Sequence, residues 1–124
     1  MPPAAPKAFF CPVNAALSVI GGKWKPMILW QMAQGKKRFS DFQAAIPGVA
    51  HKVLTQQLRQ LQRDGIIERI ERSKPAPRIE YVLTPLGRTL RPTLNGLASW
   101  GKTYHRELGV EIAPAPEPTA MDPG

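Results

Sequence analysis

Leu54, Leu58 and Leu61 recur at steps of four and three within residues 51–65, HKVLTQQLRQLQRDG, and no other feature constrains the fold as tightly. At about 100° per residue these leucines share one face of a helix, a face that has to be buried against other elements. Lys52, Gln56, Arg59 and Arg63 fall on the opposite face, with Thr55 at its margin. An ordinary solvated helix mixes Glu with Lys at spacings of three and four, which stabilises it and keeps it soluble. Here the single acid is Asp64, at the end. A long face of cations and amides suits a DNA major groove, where Arg and Gln pair with base edges and Lys with phosphate. From this segment alone, a merely solvated helix is the competing explanation.

The flanking sequence supplies the elements such a helix would pack on. Asn14 is placed to cap a short helix through about Ile20, stopped by Gly21-Gly22. KPMILWQMAQG reads as a second, largely buried helix, with Pro26 in its first turn and Gly35 as its stop. KKRF suits a short extended segment. Ser40 then caps SDFQAAI, Pro47-Gly48 makes a turn, and residues 50–64 form the polar-faced helix with Gly65 beyond its end. After Gly65 the period changes. IIERIER and RIEYVL are short and rich in β-branched residues, and SKPAP between them predicts a hairpin with a proline-stiffened loop. Thr84-Pro85 starts another helix, along which Leu86, Leu90, Leu94, Leu97, Trp100 or Gly101, Tyr104 and Leu108 form an apolar stripe. Pro92 should kink that helix or split it in two.

Helix, helix, short helix, turn, polar-faced helix, hairpin and apolar-striped helix is the order of a winged helix-turn-helix with an added C-terminal dimerisation helix, an α+β fold that is mainly α. The charge agrees. The net charge is +8 and the pI about 10.2, with 14 Lys and Arg against 5 acids up to residue 90 and 3 against 4 beyond it. A polyanionic partner, either nucleic acid or an anionic membrane surface, follows from that balance. Three basic groups are positioned to meet one duplex: Lys36, Lys37 and Arg38 with Ser40 before the helix pair, Lys52, Thr55, Gln56, Arg59 and Arg63 on the recognition helix, and Arg72, Lys74 and Arg78 around the hairpin tip. Membrane attachment ranks below DNA, because these cations are spread over a hairpin and a helix pair rather than along one lipid-facing helix.

At 124 residues the chain suits one domain over residues 9–111. Eight of its 14 prolines lie near the two ends, so residues 1–8 are expected to be a flexible arm and residues 112–124 a disordered tail. The absence of a long apolar run and of a signal peptide points to a cytoplasmic, nucleoid-associated protein. With one cysteine, Cys11, any disulfide must join two chains or capture a small thiol. His51, His105 and that cysteine make no zinc set, and no metal or other cofactor is implied. Gly21-Gly22-Lys23 lacks the spacing of a phosphate loop. No nucleophile has an evident base, which argues against an enzyme. Asp64, Glu68, Glu71 and Glu80 read as solvated or ion-paired surface. Trp24, Trp30 and Trp100 suit core and dimer-interface packing better than the walls of a ligand pocket.

CPVNAALSVIGGKWKPMILWQM, RFSDFQAAIPGV, KVLTQQLRQLQRDGIIER, IEYVLTPLGRTL and a later Trp100-Gly101 closely resemble the HxlR family of bacterial winged helix transcription regulators, from about Phe10 to Tyr104. The resemblance implies a homodimer on a pseudo-palindromic operator, with residues 49–62 as recognition helix and SKPAPR as wing tip. Ala50 departs from it, since such proteins often carry Ser there; a capping hydroxyl and a phosphate contact are missing. The resemblance also implies that Cys11 senses oxidants or electrophiles, against the alternative of an inert cysteine buried beside Phe9 and Phe10. The function expected is therefore sequence-specific regulation of transcription, responsive to oxidants or electrophiles through Cys11, with a small molecule or electrophile as effector. A winged helix that binds an acidic protein and a non-specific architectural DNA binder are the alternatives.

Overall fold

The computed structural model describes residues 8–112. The expected arm and tail fall almost wholly on residues 1–7 and 113–124, outside the described residues. Helix α1 (Pro12–Ile20) begins before the expected Asn14 cap. Cys11 is the N-cap, in extended backbone, and its Sγ accepts the Asn14 N–H at 3.4 Å. Pro12 takes the first helical position, where its fixed φ and missing donor do no harm. Gly21 ends the helix by donating its N–H to the Leu17 carbonyl at 2.7 Å.

Helix α2 (Lys25–Met32) buries Ile28, Leu29, Gln31 and Met32. Helix α3 (Phe39–Ala45) is capped at Arg38, not at Ser40. The reason is Asp41, whose Oδ2 accepts the Arg38 N–H at 2.7 Å and whose charge suits the first turn, so Ser40 lies inside the helix with its side chain exposed. Helix α4 (His51–Arg63) starts from Ala50 with no side-chain cap. The missing hydroxyl costs about 1 kcal/mol, whereas each fully buried leucine contributes roughly 1.5–3 kcal/mol. Burial of Leu54, Leu58 and Leu61 against Ile28, Leu29, Phe42 and Ile46 therefore decides that this helix forms. Gly65, at φ +75°, closes it in the left-handed region that glycine tolerates.

Strands β1 (Ile67–Arg72) and β2 (Arg78–Leu83) pair antiparallel, with Ile67 opposite Leu83 and Arg72 opposite Arg78. Lys37 adds a one-residue bridge on the other side of β2: its N–H donates to the Tyr81 carbonyl at 3.0 Å and its carbonyl accepts the Tyr81 N–H at 2.7 Å. The wing is thereby stitched to the connection between α2 and α3. Beyond it, Thr84 caps α5 (Pro85–Arg88), and the chain turns at Thr89-Leu90 into α6 (Arg91–Leu108), with Pro92 in its first turn, so the segment is split in two. Only Leu94 of α6 is buried. No described helix is long and apolar enough to cross a membrane.

Thr84 and Gly87 lock the corner where the wing meets α5. The Thr84 hydroxyl donates to the Gly65 carbonyl at 2.6 Å and accepts the Gly87 N–H at 3.0 Å. A Cβ on Gly87 would overlap the Ile66 carbonyl oxygen, a backbone atom that cannot swing aside. Gly87→Ala is expected to destabilise the fold by about 1–3 kcal/mol, read as a melting temperature lower by roughly 4 °C or more. An unchanged melt would show that the corner relaxes freely.

Candidate nucleic-acid interface

The leucines of α4 face inward, at 1% exposure or less, so Lys52, Gln56, Arg59 and Arg63 all project into solvent. Among the described residues no carboxylate lies within ion-pair distance of Lys52, Arg59 or Arg63. Thr55, at the margin, donates its hydroxyl to the His51 carbonyl at 2.9 Å and keeps its lone pairs free to accept. Among the described residues the row is a cationic and amide face with no acidic partner.

Beside this row a cleft of about 550 Å³ separates α4 from the wing. His51, Thr55, Arg59, Gln62, Arg69 and Tyr81 line it, and the His51 ring packs on Phe39 with centroids 4.6 Å apart. His51, Gln62 and Arg69 were not among the expected site residues. Arg69 reaches the cleft because the hairpin register sets it opposite Tyr81, a pairing that strand alternation alone does not specify.

The remaining expected residues divide. Arg38 and Ser40 are exposed at the start of α3, and Lys74 is exposed on the turn between the strands. Lys37, expected in an exposed cluster, is only 3% exposed, and its backbone forms the single bridge to Tyr81 of β2. Lys36 turns to Glu80, with Nζ to Oε2 at 3.4 Å. Arg72 and Arg78 also converge there, Arg72 Nε donating to Oε1 at 3.1 Å and Arg78 Nε to Oε2 at 3.0 Å. Arg78 Nη1 donates as well to the Lys74 carbonyl at 2.6 Å, which ties the turn to the start of β2. Asp64, Glu68 and Glu71 are exposed, and Glu71 pairs with Arg69 at 2.8 Å, as surface acids should. Glu80 is ion-paired but not surface: three cations and the neighbouring strand leave it 3% exposed. Burial by itself would raise its pKa, but the bonds from Arg78, Arg72 and Lys36 outweigh that and hold the carboxyl at about 2.

A second surface lies on the helices at the chain ends. Val13 and Leu17 on α1 and Leu97, Trp100, Tyr104 and Leu108 on α6 are all exposed, with Trp100 and Tyr104 stacked at 5.4 Å. Trp100 is 64% exposed, so it serves no core within this chain; Trp24 and Trp30 pack against the core. Trp30 also lines a mostly apolar groove of about 420 Å³ with Met27, Leu94 and Leu97, but Trp24 and Trp100 do not. Cys11 is partly exposed at the N-terminus of α1. Phe9 and Phe10 do not bury it, being themselves exposed. Among the described residues no cluster of His, Cys, Asp and Glu is suited to a metal ion.

Comparison with known proteins agrees with this geometry. The HxlR-like helix-turn-helix family matches residues 19–108. The uncharacterised HTH-type transcriptional regulator YdeP of Bacillus subtilis is 45% identical over 94 residues, 76% of this chain and 73% of that protein. The redox regulator HypR in its reduced form is similar at a TM-score of 0.74 and 41% identity, covering 80% of this chain and 98% of that one. HypR in its oxidised form gives 0.70 at 44% identity, covering 75% and 96%. These similar proteins are regulators, not enzymes.

The Glu80 cluster has a pH signature. Its folded pKa of about 2 lies below the ordinary 4.5, so its contribution to stability is complete above the ordinary value and is lost as pH falls through the folded one. Between these two values the wild type should lose stability more steeply than Glu80→Gln, and the two should converge near the lower end. Parallel denaturation midpoints for the two proteins across that range would contradict the assignment.

Proposed function

The chain belongs to the HxlR-like helix-turn-helix family of transcriptional regulators, and on that footing we propose that it binds double-stranded DNA sequence-specifically as a homodimer and that Cys11 tunes the binding. The observation that carries this reading is the exposed row Lys52, Gln56, Arg59 and Arg63 opposite the buried leucines of α4. Gln56 and Arg59, near the middle of the row, read base edges with Thr55 beside them; Lys52 and Arg63 neutralise phosphates. Arg38 and Ser40 at the start of α3, with Arg72 and Lys74 on the wing, hold the flanking backbone. Lys36, Lys37 and Arg78 act from within, by fixing the wing.

Two copies join through the exposed apolar residues of α1 and α6, among them Val13, Leu17, Trp100 and Leu108. That pairing sets two recognition helices about 34 Å apart, one turn of the duplex, on a two-fold symmetric site. Cys11 caps α1 beside this apolar surface, so a disulfide or an electrophile on its sulfur would move α1 and alter the separation of the two helices. The likeness to a redox regulator solved in both forms supports that role.

Selection from random duplexes should recover a two-fold symmetric site. On it Arg59→Ala is expected to cost roughly 1–3 kcal/mol and to relax preference at one base pair per half-site. An equal loss on selected and random DNA would overturn base reading by Arg59. Diamide should weaken operator binding by the wild type and leave Cys11→Ser unaffected; equal inhibition of both would remove Cys11 from the response.

A further inference from the structure

We propose that Glu80 is a positioning residue for DNA binding, a buried carboxylate that holds the wing on the helix-turn-helix body so that its cations face the duplex. This rests on the DNA-binding function proposed above. Glu80 is the one buried acid among the described residues. It gathers cations from three places in the chain: Lys36 ahead of α3, Arg72 at the end of β1 and Arg78 at the start of β2. Arg78 carries the constraint outward, donating to the carbonyls of Lys74 and Ala76 in the turn. An unbroken chain of bonds therefore runs from the α2–α3 connection through Glu80 to the wing tip. Three cations against one carboxylate leave a surplus of two positive charges beside the turn of the wing, and Arg72 keeps about half of its side chain exposed at 48%. Without the carboxylate the three cations repel one another and separate, and the turn loses its support.

Charge counting and positioning predict opposite signs. Removing an acid raises the net charge above +8, which by itself strengthens attraction to a polyanion. Loss of position removes phosphate contacts instead. The test is anisotropy of the full chain and of Glu80→Gln on a random-sequence duplex between about 50 and 200 mM salt, with circular dichroism to check folding. The folded variant is expected to bind roughly 5- to 30-fold more weakly at about 150 mM, with the slope of log K against log salt reduced by about one to two. A simple loss of folded protein lowers the apparent affinity and leaves the slope unchanged, so the slope separates positioning from stability. Binding as tight as the wild type's, or tighter, or an unchanged slope overturns the proposal. Should Glu80→Gln fail to fold, Arg78→Lys decides. It keeps the charge and loses the forked bonds to the turn, so a reduced slope supports the proposal and a wild-type slope overturns it. A wild type that binds no duplex at the lowest salt would instead overturn the DNA-binding function itself, and this inference with it.

Discussion

Leu54, Leu58 and Leu61 pack into one core with Ile28, Leu29 and Phe42, and the rest of the molecule takes its bearings from that contact. It sets the rotation of α4 about its own axis, and with it the identity of every side chain on the opposite face. A shift of one residue would bury Thr55, Arg59 and Gln62, or Gln57 and Gln60, in place of leucine, at a cost that no surface contact repays. The same core holds α2 and α3 beneath α4 and receives Ile66 and Ile67 at the root of the wing. Helix α4 and the wing therefore share one foundation.

The wing needs a second constraint, because a two-stranded hairpin has little stability of its own. Part comes from backbone pairing of Lys37 with Tyr81, and part from the Thr84 hydroxyl at the corner. The ion pairs of Glu80 with Lys36, Arg72 and Arg78 add a third tie. A buried ion cluster is an uneconomical source of stability, since desolvation offsets most of the attraction. Its strength is direction: each cation is held at a fixed distance, which an apolar side chain of the same size would not do. The orientation of cations is what a surface that meets a regular array of phosphates requires.

Much of this was legible in the residue pattern. Period-3.6 leucines, the stop at Gly65, the change of period after it, the Thr84-Pro85 start and the break near Pro92 all reflect local physics, and each corresponds to an element or boundary of the structure. What was not legible is tertiary. Ser40 is a good cap by type, yet Asp41 two residues past Phe39 claims the backbone donor of Arg38. Asn14 looked like a cap, but Cys11-Pro12 starts the helix earlier, since proline at the first position outweighs the weaker sulfur acceptor. Lys37 and Glu80 are charged residues that nothing local marks as buried; a bridge to β2 from 44 positions earlier and the cations gathered on Glu80 cover them. Likewise Arg69 joins the cleft through hairpin register, which no single strand reveals.

The proposed function depends on the outward face of α4 reading a particular DNA sequence. Its most direct measurement is fluorescence anisotropy of the purified chain on the DNA just upstream of its own gene, against a shuffled duplex of equal length and composition at about 150 mM salt. A preference of about 10³ or more for the upstream DNA is the predicted result. Equal, weak binding to both duplexes, repeated with any site recovered by selection, would contradict it.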